Sequence, residues 1–167
     1  MEAKIKRDRK INGIVFSLIL LLILFLVLGA IFFIRATRPQ RQAKAEAAAI
    51  AQTYANVSTV DTFYWFTWGE SYFTVLGEDA DSQAVAVIIS QDGGNVKVVN
   101  QSDGYSEMEI RSIVQQDYNN PTILKANLGM YQDQVVWEVI TRDSSQQLTY
   151  YLLDFTTGSE VSVVADV

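Results

Sequence analysis

The side chains of this chain that could do chemistry are its carboxylates. None of its 167 residues is a histidine or a cysteine, which excludes disulfides, thiolate nucleophiles, histidine acid–base catalysis and zinc sites built from these ligands. Two groups of acidic residues remain. Glu138 and Asp154 are of the type that glycosidases pair, and Glu78, Asp79 and Asp81 form an oxygen-rich loop of the kind that can bind calcium.

Both groups have a simpler structural interpretation. Glu138 lies within a predicted strand and Asp154 begins a predicted turn, so nothing in the sequence brings them together. Asp154 is expected to accept hydrogen bonds from turn amides, and Gly158 is expected to supply a positive φ. The acidic loop lacks the spacing of an EF-hand, which favours a solvated turn. We therefore predict no catalytic residue, no cofactor-binding residue and no metal site.

The longest apolar segment is predicted to cross a membrane. Ile11–Ile34 contains 24 residues without a charge, and a helix of that length measures roughly 36 Å, enough for a hydrocarbon core of about 30 Å. It is longer than the apolar region of a cleaved signal peptide, and no small-residue cleavage site follows it. The sequence predicts a single-pass signal anchor in the cell membrane, with residues 1–10 cytoplasmic and the C-terminal domain extracellular.

Charge is divided unevenly along the chain. Residues 1–46 carry nine basic and three acidic side chains, a net charge of +6, whereas residues 47–167 carry four basic and sixteen acidic ones, a net charge of −12. The acidic part is a poor nucleic-acid binder because phosphate binding needs a basic surface. Arg35, Arg38 and Arg41 recur every three residues after the apolar segment and are expected to contact lipid headgroups at the membrane interface.

The rest of the chain contains the same series of elements twice. An alanine-rich helix over Gln40–Tyr54, with Pro39 in its first turn or at a kink, precedes four strand-like segments. A second helix, which begins at Ser106 with a capping box, precedes four more. The sequence predicts an α+β fold, in which residues 35–100 and 101–167 each form one helix on a three- or four-stranded antiparallel sheet. Residues that agree at an offset of 64 include Tyr54 and Tyr118, Asn56 and Asn120, Asp79 and Asp143, Gln83 and Gln147, and Gly94 and Gly158.

An aromatic run, residues 63–68, lies in the first predicted strand. Alternate residues of a strand face opposite sides. If the apolar residues of the equivalent strand in the second repeat face the core, Phe63 and Trp65 are predicted to face away from it. Large aromatics on an open face anchor protein interfaces, so both are candidate partner-binding residues. The alternatives are that the second repeat covers them or that they lie at the bilayer surface. The positions then predicted to face the core are Val60, Thr62, Tyr64 and Phe66.

One combination of motifs is distinctive. It consists of the single anchor, Val60–Phe63, Trp137–Val139, Tyr151 and the D-F-T-T-G turn of Asp154–Gly158. With these motifs together, essentially the whole chain resembles the TseB/YpmB-like family of Gram-positive bacteria. The resemblance implies two tandem cystatin-like, PepSY-like units behind a membrane anchor. It also implies regulation of cell-wall elongation by binding a class-B penicillin-binding protein, without catalytic residues.

Three functions remain open. The favoured one is a non-enzymatic regulator of peptidoglycan elongation that binds a class-B penicillin-binding protein or another membrane protein of cell-wall synthesis. The alternative is a PepSY-like inhibitor of a secreted or membrane peptidase. The third, a wall-lytic enzyme that uses carboxylates alone, requires a catalytic Glu138 or Asp154. The expected partners are protein and membrane lipid, with no nucleic acid and no small-molecule substrate.

Overall fold

The structure, a computed structural model, describes the backbone of residues 2–165 and the side chains of residues 16–33 and 39–165. It has the predicted α+β fold, in which an N-terminal apolar helix precedes two four-stranded antiparallel sheets, each packed against a helix. The elements are α1 (Glu2–Ala55), β1 (Thr59–Phe66), β2 (Tyr72–Glu78), β3 (Ala84–Ser90), β4 (Val96–Asn100), a short 3-10 turn (Gln101–Asp103), α2 (Glu107–Asp117), β5 (Thr122–Tyr131), β6 (Gln134–Arg142), β7 (Leu148–Asp154) and β8 (Glu160–Ala165).

Helix α1 contains the apolar segment. Its most apolar stretch, Phe16–Phe33, has a mean hydropathy of 3.1 over 18 residues, and none of it is buried. It is therefore long and apolar enough to cross a membrane. Pro39 lies inside α1, so the alanine-rich helix is the last part of α1 and does not begin anew at Gln40. The chain divides into two compact units, residues 1–42 and Ala43–Val167, and we call the latter the sheet unit.

Each sheet of the sheet unit is a meander whose strand order follows the chain, β1-β2-β3-β4 and β5-β6-β7-β8. The β2–β3 and β6–β7 turns are alike. In each, the Oδ1 of one aspartate, Asp79 or Asp143, accepts hydrogen bonds of 2.8 and 2.9 Å from two later backbone amides. Ser82 and Gln146, again 64 residues apart, both adopt a positive φ. The tandem repeat predicted from the sequence is thus present in the strands and in the turns.

An asparagine with a positive φ follows the helix of each repeat, and α2 begins as predicted. The Ser106 hydroxyl accepts a hydrogen bond from the Glu109 amide at 3.4 Å, and the Glu109 carboxylate accepts one from the Ser106 amide at 2.8 Å. This is the predicted capping box. Asn56 after α1 and Asn120 after α2 have φ angles of 49° and 53°, a left-handed conformation that asparagine tolerates and that commonly follows a helix.

Two clusters of apolar side chains form the core of the sheet unit. In the first, Ala47 and Ala51 of α1 pack on one face of the first sheet, where they meet Val75, Val87 and Ile89. In the second, which is larger, α2 packs on β5 and β6, and the other face of the first sheet joins the same core. The first sheet is therefore covered on both faces. The largest side chains of the second cluster include Tyr64, Phe66, Ile110, Leu128, Trp137 and Leu153.

A β-bulge interrupts the first strand of each sheet, between Val60 and Thr62 in β1 and between Ile123 and Lys125 in β5. A bulge adds one residue and reverses the alternation beyond it. Val60 consequently packs in the first cluster, which contains Ala47 and Ala51, on the face opposite Tyr64. The prediction that Val60 shares the core face of Tyr64 is therefore wrong, because it assumed uninterrupted alternation.

Candidate functional site

The candidate partner surface lies on β1, which forms one edge of the first sheet. Phe63 pairs with Val75 and Trp65 pairs with Phe73, so the alternation of the strand places the rings of residues 63, 65 and 73 on one face. The Phe63 ring stacks on Phe73 with centroids 5.8 Å apart, and Trp65 meets Phe73 edge to face at 5.3 Å. We call Phe63, Trp65 and Phe73 the aromatic patch.

The aromatic patch is half-buried rather than open. Ala47 and Ala51 of α1 pack on the same face of the sheet, so the helix covers the inner part of the patch. The patch faces away from Tyr64 and Phe66, as predicted, but the expectation that its face is open is wrong. Each of its three rings keeps part of its surface in solvent.

One polar atom of the aromatic patch has no partner. The indole Nε1 of Trp65 is inaccessible to solvent, and within the part of the chain that the structure describes no acceptor lies within hydrogen-bond distance. A buried N–H that is left unpaired costs about 1–3 kcal/mol. The edge strand of the first sheet therefore carries an unsatisfied donor.

The opposite face of the first sheet contacts the second repeat. Tyr64 lies edge to face against Trp137 with centroids 5.5 Å apart, and its hydroxyl donates to Glu107 at 2.6 Å. Burial, followed by this hydrogen bond, raises the pKa of Tyr64 above its ordinary value. Glu107 also accepts a hydrogen bond from Arg111 at 2.7 Å, the one ion pair among residues 39–165. Nearby, the Thr74 hydroxyl donates to the carbonyl oxygen of Leu128 at 2.7 Å.

The two carboxylates considered for glycoside chemistry are held by neighbours. Glu138 is 4% exposed within β6, and its Oε2 accepts a hydrogen bond from the buried Asn127 amide at 2.6 Å. Asp154 ends β7, and its Oδ1 accepts hydrogen bonds of 3.0 and 2.7 Å from the backbone amides two and three residues later. Gly158 follows with a φ of +69°. A glycosidase needs both carboxyl groups to face the sugar, which a side chain as buried as Glu138 does not do.

The acidic loop of Glu78, Asp79 and Asp81 is a tight turn. One oxygen of Asp79 is occupied by the backbone amides of Asp81 and Gln83, and the side chains of Glu78 and Asp81 are exposed. In the described part of the chain no group of three or more acidic side chains is placed to hold a metal ion.

The basic flank of the apolar segment is only partly described. Arg41 is exposed on α1. The side chains of Arg35 and Arg38 lie outside the described residues. The contact of these arginines with lipid headgroups therefore stays a prediction.

A cleft that the sequence did not reveal lies between equivalent hairpins of the two repeats. The β1–β2 connection and the two-residue β5–β6 turn, Gln132 and Asp133, line a cavity of about 330 Å³. These segments are far apart in the chain. The offset of 64 was the one signal that could have indicated their equivalence, but equivalence alone does not predict that they meet.

Comparisons with known proteins agree over different parts of the chain. The family described as "Cell wall elongation regulator TseB-like domain" matches residues 46–90. The "Probable cell wall elongation regulator TseB" of Bacillus subtilis (strain 168) is 25% identical over 155 residues, which span 92% of this chain and 94% of that protein. The solved structure of the YpmB protein from Bacillus subtilis, 24% identical, superposes with a TM-score of 0.64 over 72% of this chain and 95% of that structure, and so shares its fold.

Proposed function

We infer that the chain belongs to the TseB/YpmB family of cell wall elongation regulators, and we propose that it is a non-enzymatic, membrane-anchored regulator of peptidoglycan elongation that acts by binding another protein. The observation that carries this proposal is the sequence match to a cell wall elongation regulator over 92% of the chain. A match of that length extends over most of α1 and of both repeats, and it spans 94% of the relative.

The proposed location is the cell membrane. The exposed apolar stretch Phe16–Phe33 supports an anchor, with residues 1–10 in the cytoplasm and the sheet unit outside the cell. The chain has no cysteine, so its fold does not depend on the redox state of the compartment.

The proposed role is non-catalytic. The burial of Glu138 and the use of Asp154 by its own turn support this, because these were the carboxylates considered for wall hydrolysis. We expect the purified chain in detergent micelles to release no soluble fragments from peptidoglycan. Hydrolysis that Glu138→Gln or Asp154→Asn abolishes would replace the regulator by an enzyme.

The proposed partner is a class-B penicillin-binding protein, and the proposed contact is the aromatic patch. Half-buried aromatic rings at a sheet edge are the kind of side chain that anchors protein interfaces.

The test is photo-crosslinking in the host bacterium, with a photoreactive residue at position 63 or 65 of the full chain. Position 98 is a matched control, because Val98 is 44% exposed on the same face, at the other edge strand, β4. We expect positions 63 and 65, but not 98, to capture a penicillin-binding protein. Capture of a peptidase would favour the inhibitor function instead. Capture of lipid or of α1 alone would make the patch structural.

A second test is deletion of the gene. We expect altered cell length or altered sensitivity to inhibitors of elongation, with unchanged extracellular proteolysis. Increased proteolysis with normal cell shape would favour the peptidase inhibitor over the regulator.

A further inference from the structure

The cleft between the two hairpins, which we call the hairpin cleft, is built jointly by both repeats. One side comes from the connection between β1 and β2, and the other comes from the end of β5 and the turn that follows it. Its volume of about 330 Å³ is at the lower end of the range of small-molecule pockets, about 300–1,000 Å³. It suits one or two side chains rather than a cofactor. The residues that give it its character are Trp68, Glu70, Tyr72, Met130, Tyr131 and Asp133.

Part of the lining of the hairpin cleft is aromatic and apolar. Trp68, Met130 and Tyr131 are each half-buried, and Trp68 is supported by the Tyr150 ring with centroids 6.0 Å apart. Tryptophan and tyrosine rings attract cations over their faces, because the ring carries negative charge density there. This part of the lining therefore favours a cationic group with an aliphatic stem.

Another part of the lining is acidic. Glu70 and Asp133 are exposed, and across the described side chains neither carboxylate has a basic group within ion-pair distance. The Lys97 ammonium instead donates to the backbone carbonyl oxygen of Asp133 at 3.2 Å.

Tyr72 contacts the acidic part of the lining. Its hydroxyl donates to Glu70 at 2.6 Å. This hydrogen bond, partial burial and the nearby charges of Glu70, Asp133 and Asp92 raise the pKa of Tyr72 to about 12. The Glu70 and Asp133 carboxylates thus place negative charge at the cleft.

We propose that the hairpin cleft receives a lysine or arginine side chain of a partner protein, with Trp68 contacting its stem and Glu70 and Asp133 its charged end. The inference rests on the proposed function only in that the occupant is part of a protein. The net charge of −12 on residues 47–167 accelerates the approach of a basic surface, an effect that salt weakens.

The first experiment uses the full chain in detergent micelles with ¹⁵N-labelled tryptophan. The chain has three tryptophans, of which Trp68 lines the cleft and Trp137 donates its indole N–H to the Tyr105 carbonyl oxygen. We titrate N-acetyl-lysine methylamide, N-acetyl-arginine methylamide and the uncharged N-acetyl-norleucine methylamide. The two cationic probes should shift the Trp68 indole signal and leave those of Trp65 and Trp137 in place. An unmoved Trp68 signal, or an equal shift with norleucine, overturns the proposal.

Charge-matched variants sharpen this experiment. The double substitution Glu70→Gln/Asp133→Asn should weaken the binding of the cationic probes about fivefold, as expected for two exposed charge contacts. The control, Asp81→Asn/Asp117→Asn, removes the same charge from exposed positions outside the cleft and should change binding less than about twofold. Equal weakening by both pairs would mean that net charge rather than the cleft attracts the probes.

The second experiment separates this proposal from the proposed function. A photoreactive residue at position 131 of the full chain, in cells, should crosslink to a partner segment that contains lysine or arginine. The crosslink should be lost in Glu70→Gln/Asp133→Asn and kept in the control pair. If positions 63 and 65 still capture a protein, but the crosslinks from position 131 are unchanged in Glu70→Gln/Asp133→Asn, the cleft proposal fails and the regulator function stands. If none of the three positions captures a protein, both fail.

Discussion

In the first repeat the helix places alanines against its sheet, whereas in the second repeat it places larger side chains there. Ala47 and Ala51 of α1 are almost fully buried, and so are Ile110 and Val114 of α2. The bulk of the first interface therefore comes from the strands, including the aromatic patch, while in the second both sides supply it. A small-residue helix face leaves large rings of the sheet only partly covered, which is why the aromatic patch remains half-exposed.

The two helices also begin differently. Helix α2 follows a loop, and its first amides are satisfied by the Ser106–Glu109 capping box. The equivalent position of the first repeat, Gln42, is already inside α1, where preceding carbonyls accept these hydrogen bonds. The helix of the second repeat thus needs a capping box and that of the first does not, although the β2–β3 and β6–β7 turns of the two repeats have the same hydrogen bonds.

The largest expected difference concerns Trp137 and its repeat equivalent, Phe73. Trp137 is 1% exposed, so Trp137→Ala should lower the free energy of unfolding of the sheet unit by about 3–5 kcal/mol. Phe73 is half-buried, and Phe73→Ala should lower it by about 2 kcal/mol, since less apolar surface leaves water. Urea unfolding followed by near-ultraviolet circular dichroism measures both. Equal losses would contradict the difference between the two cores.

The contact between the repeats comes next. Tyr64→Phe removes the hydrogen bond to Glu107 and should lower the free energy of unfolding by about 1.5 kcal/mol, as for a hydrogen bond to a charged group. Tyr54→Phe is the control, because Tyr54 is 66% exposed. A loss no larger than that of the control, in the same urea titration, would show that the hydroxyl does not join the repeats.

The same tyrosine predicts an alkaline effect. Burial and the Glu107 carboxylate raise the pKa of Tyr64 in the folded state, so the fold favours the protonated hydroxyl. This stabilisation is complete below the unfolded-state pKa of about 10 and is lost as pH rises through the folded-state pKa. The melting temperature of Tyr64→Phe should therefore fall less steeply above pH 10 than that of the parent chain. Parallel curves would contradict the raised pKa.

The capping box predicts a smaller and one-sided effect. Ser106→Ala should lower the free energy of unfolding by about 1 kcal/mol, whereas Gln42→Ala at the equivalent position of α1 should change it by less than about 0.5 kcal/mol. Thermal unfolding of the two variants side by side measures the difference. A matching loss at position 42 would mean that the start of the first repeat also needs its side chain.

Substitutions in the β2–β3 and β6–β7 turns should have the smallest effects on the free energy of unfolding, and the two effects should be equal. Asp79→Ala and Asp143→Ala should each lower the free energy of unfolding by about 0.5–1 kcal/mol, since each removes hydrogen bonds to two exposed backbone amides. The double variant should show the sum within about 0.5 kcal/mol. The midpoint of urea unfolding provides the measurement. Unequal single effects would mean that the turns differ in ways that their hydrogen bonds do not reveal.

Local features of the fold could be predicted from the sequence. The four strands after each helix were predicted correctly, as was the capping box of α2, because short-range patterns determine them. Asp79 and Asp143 were recognised as equivalent, and their turns have the same hydrogen bonds.

The assignment of faces could be predicted only in part. Strand β3 is buried at every position from Val85 to Ser90, because α1 covers one face of its sheet and the second repeat contacts the other. Alternation carries little information in such a strand. The bulge after Val60 also made the predicted face of Val60 wrong. The hairpin cleft depends on how the two repeats pack, and no local pattern encodes that.

The strand order of both sheets has a consequence for folding. Each strand pairs with its neighbour in the chain across connections of two to five residues, so each ladder closes only short loops and forms quickly. Either repeat can therefore acquire its sheet before the other is complete. Tyr64 and Trp137 are far apart in the chain, and their ring contact closes a much longer loop. We therefore expect that contact to form after the two sheets, as the repeats dock.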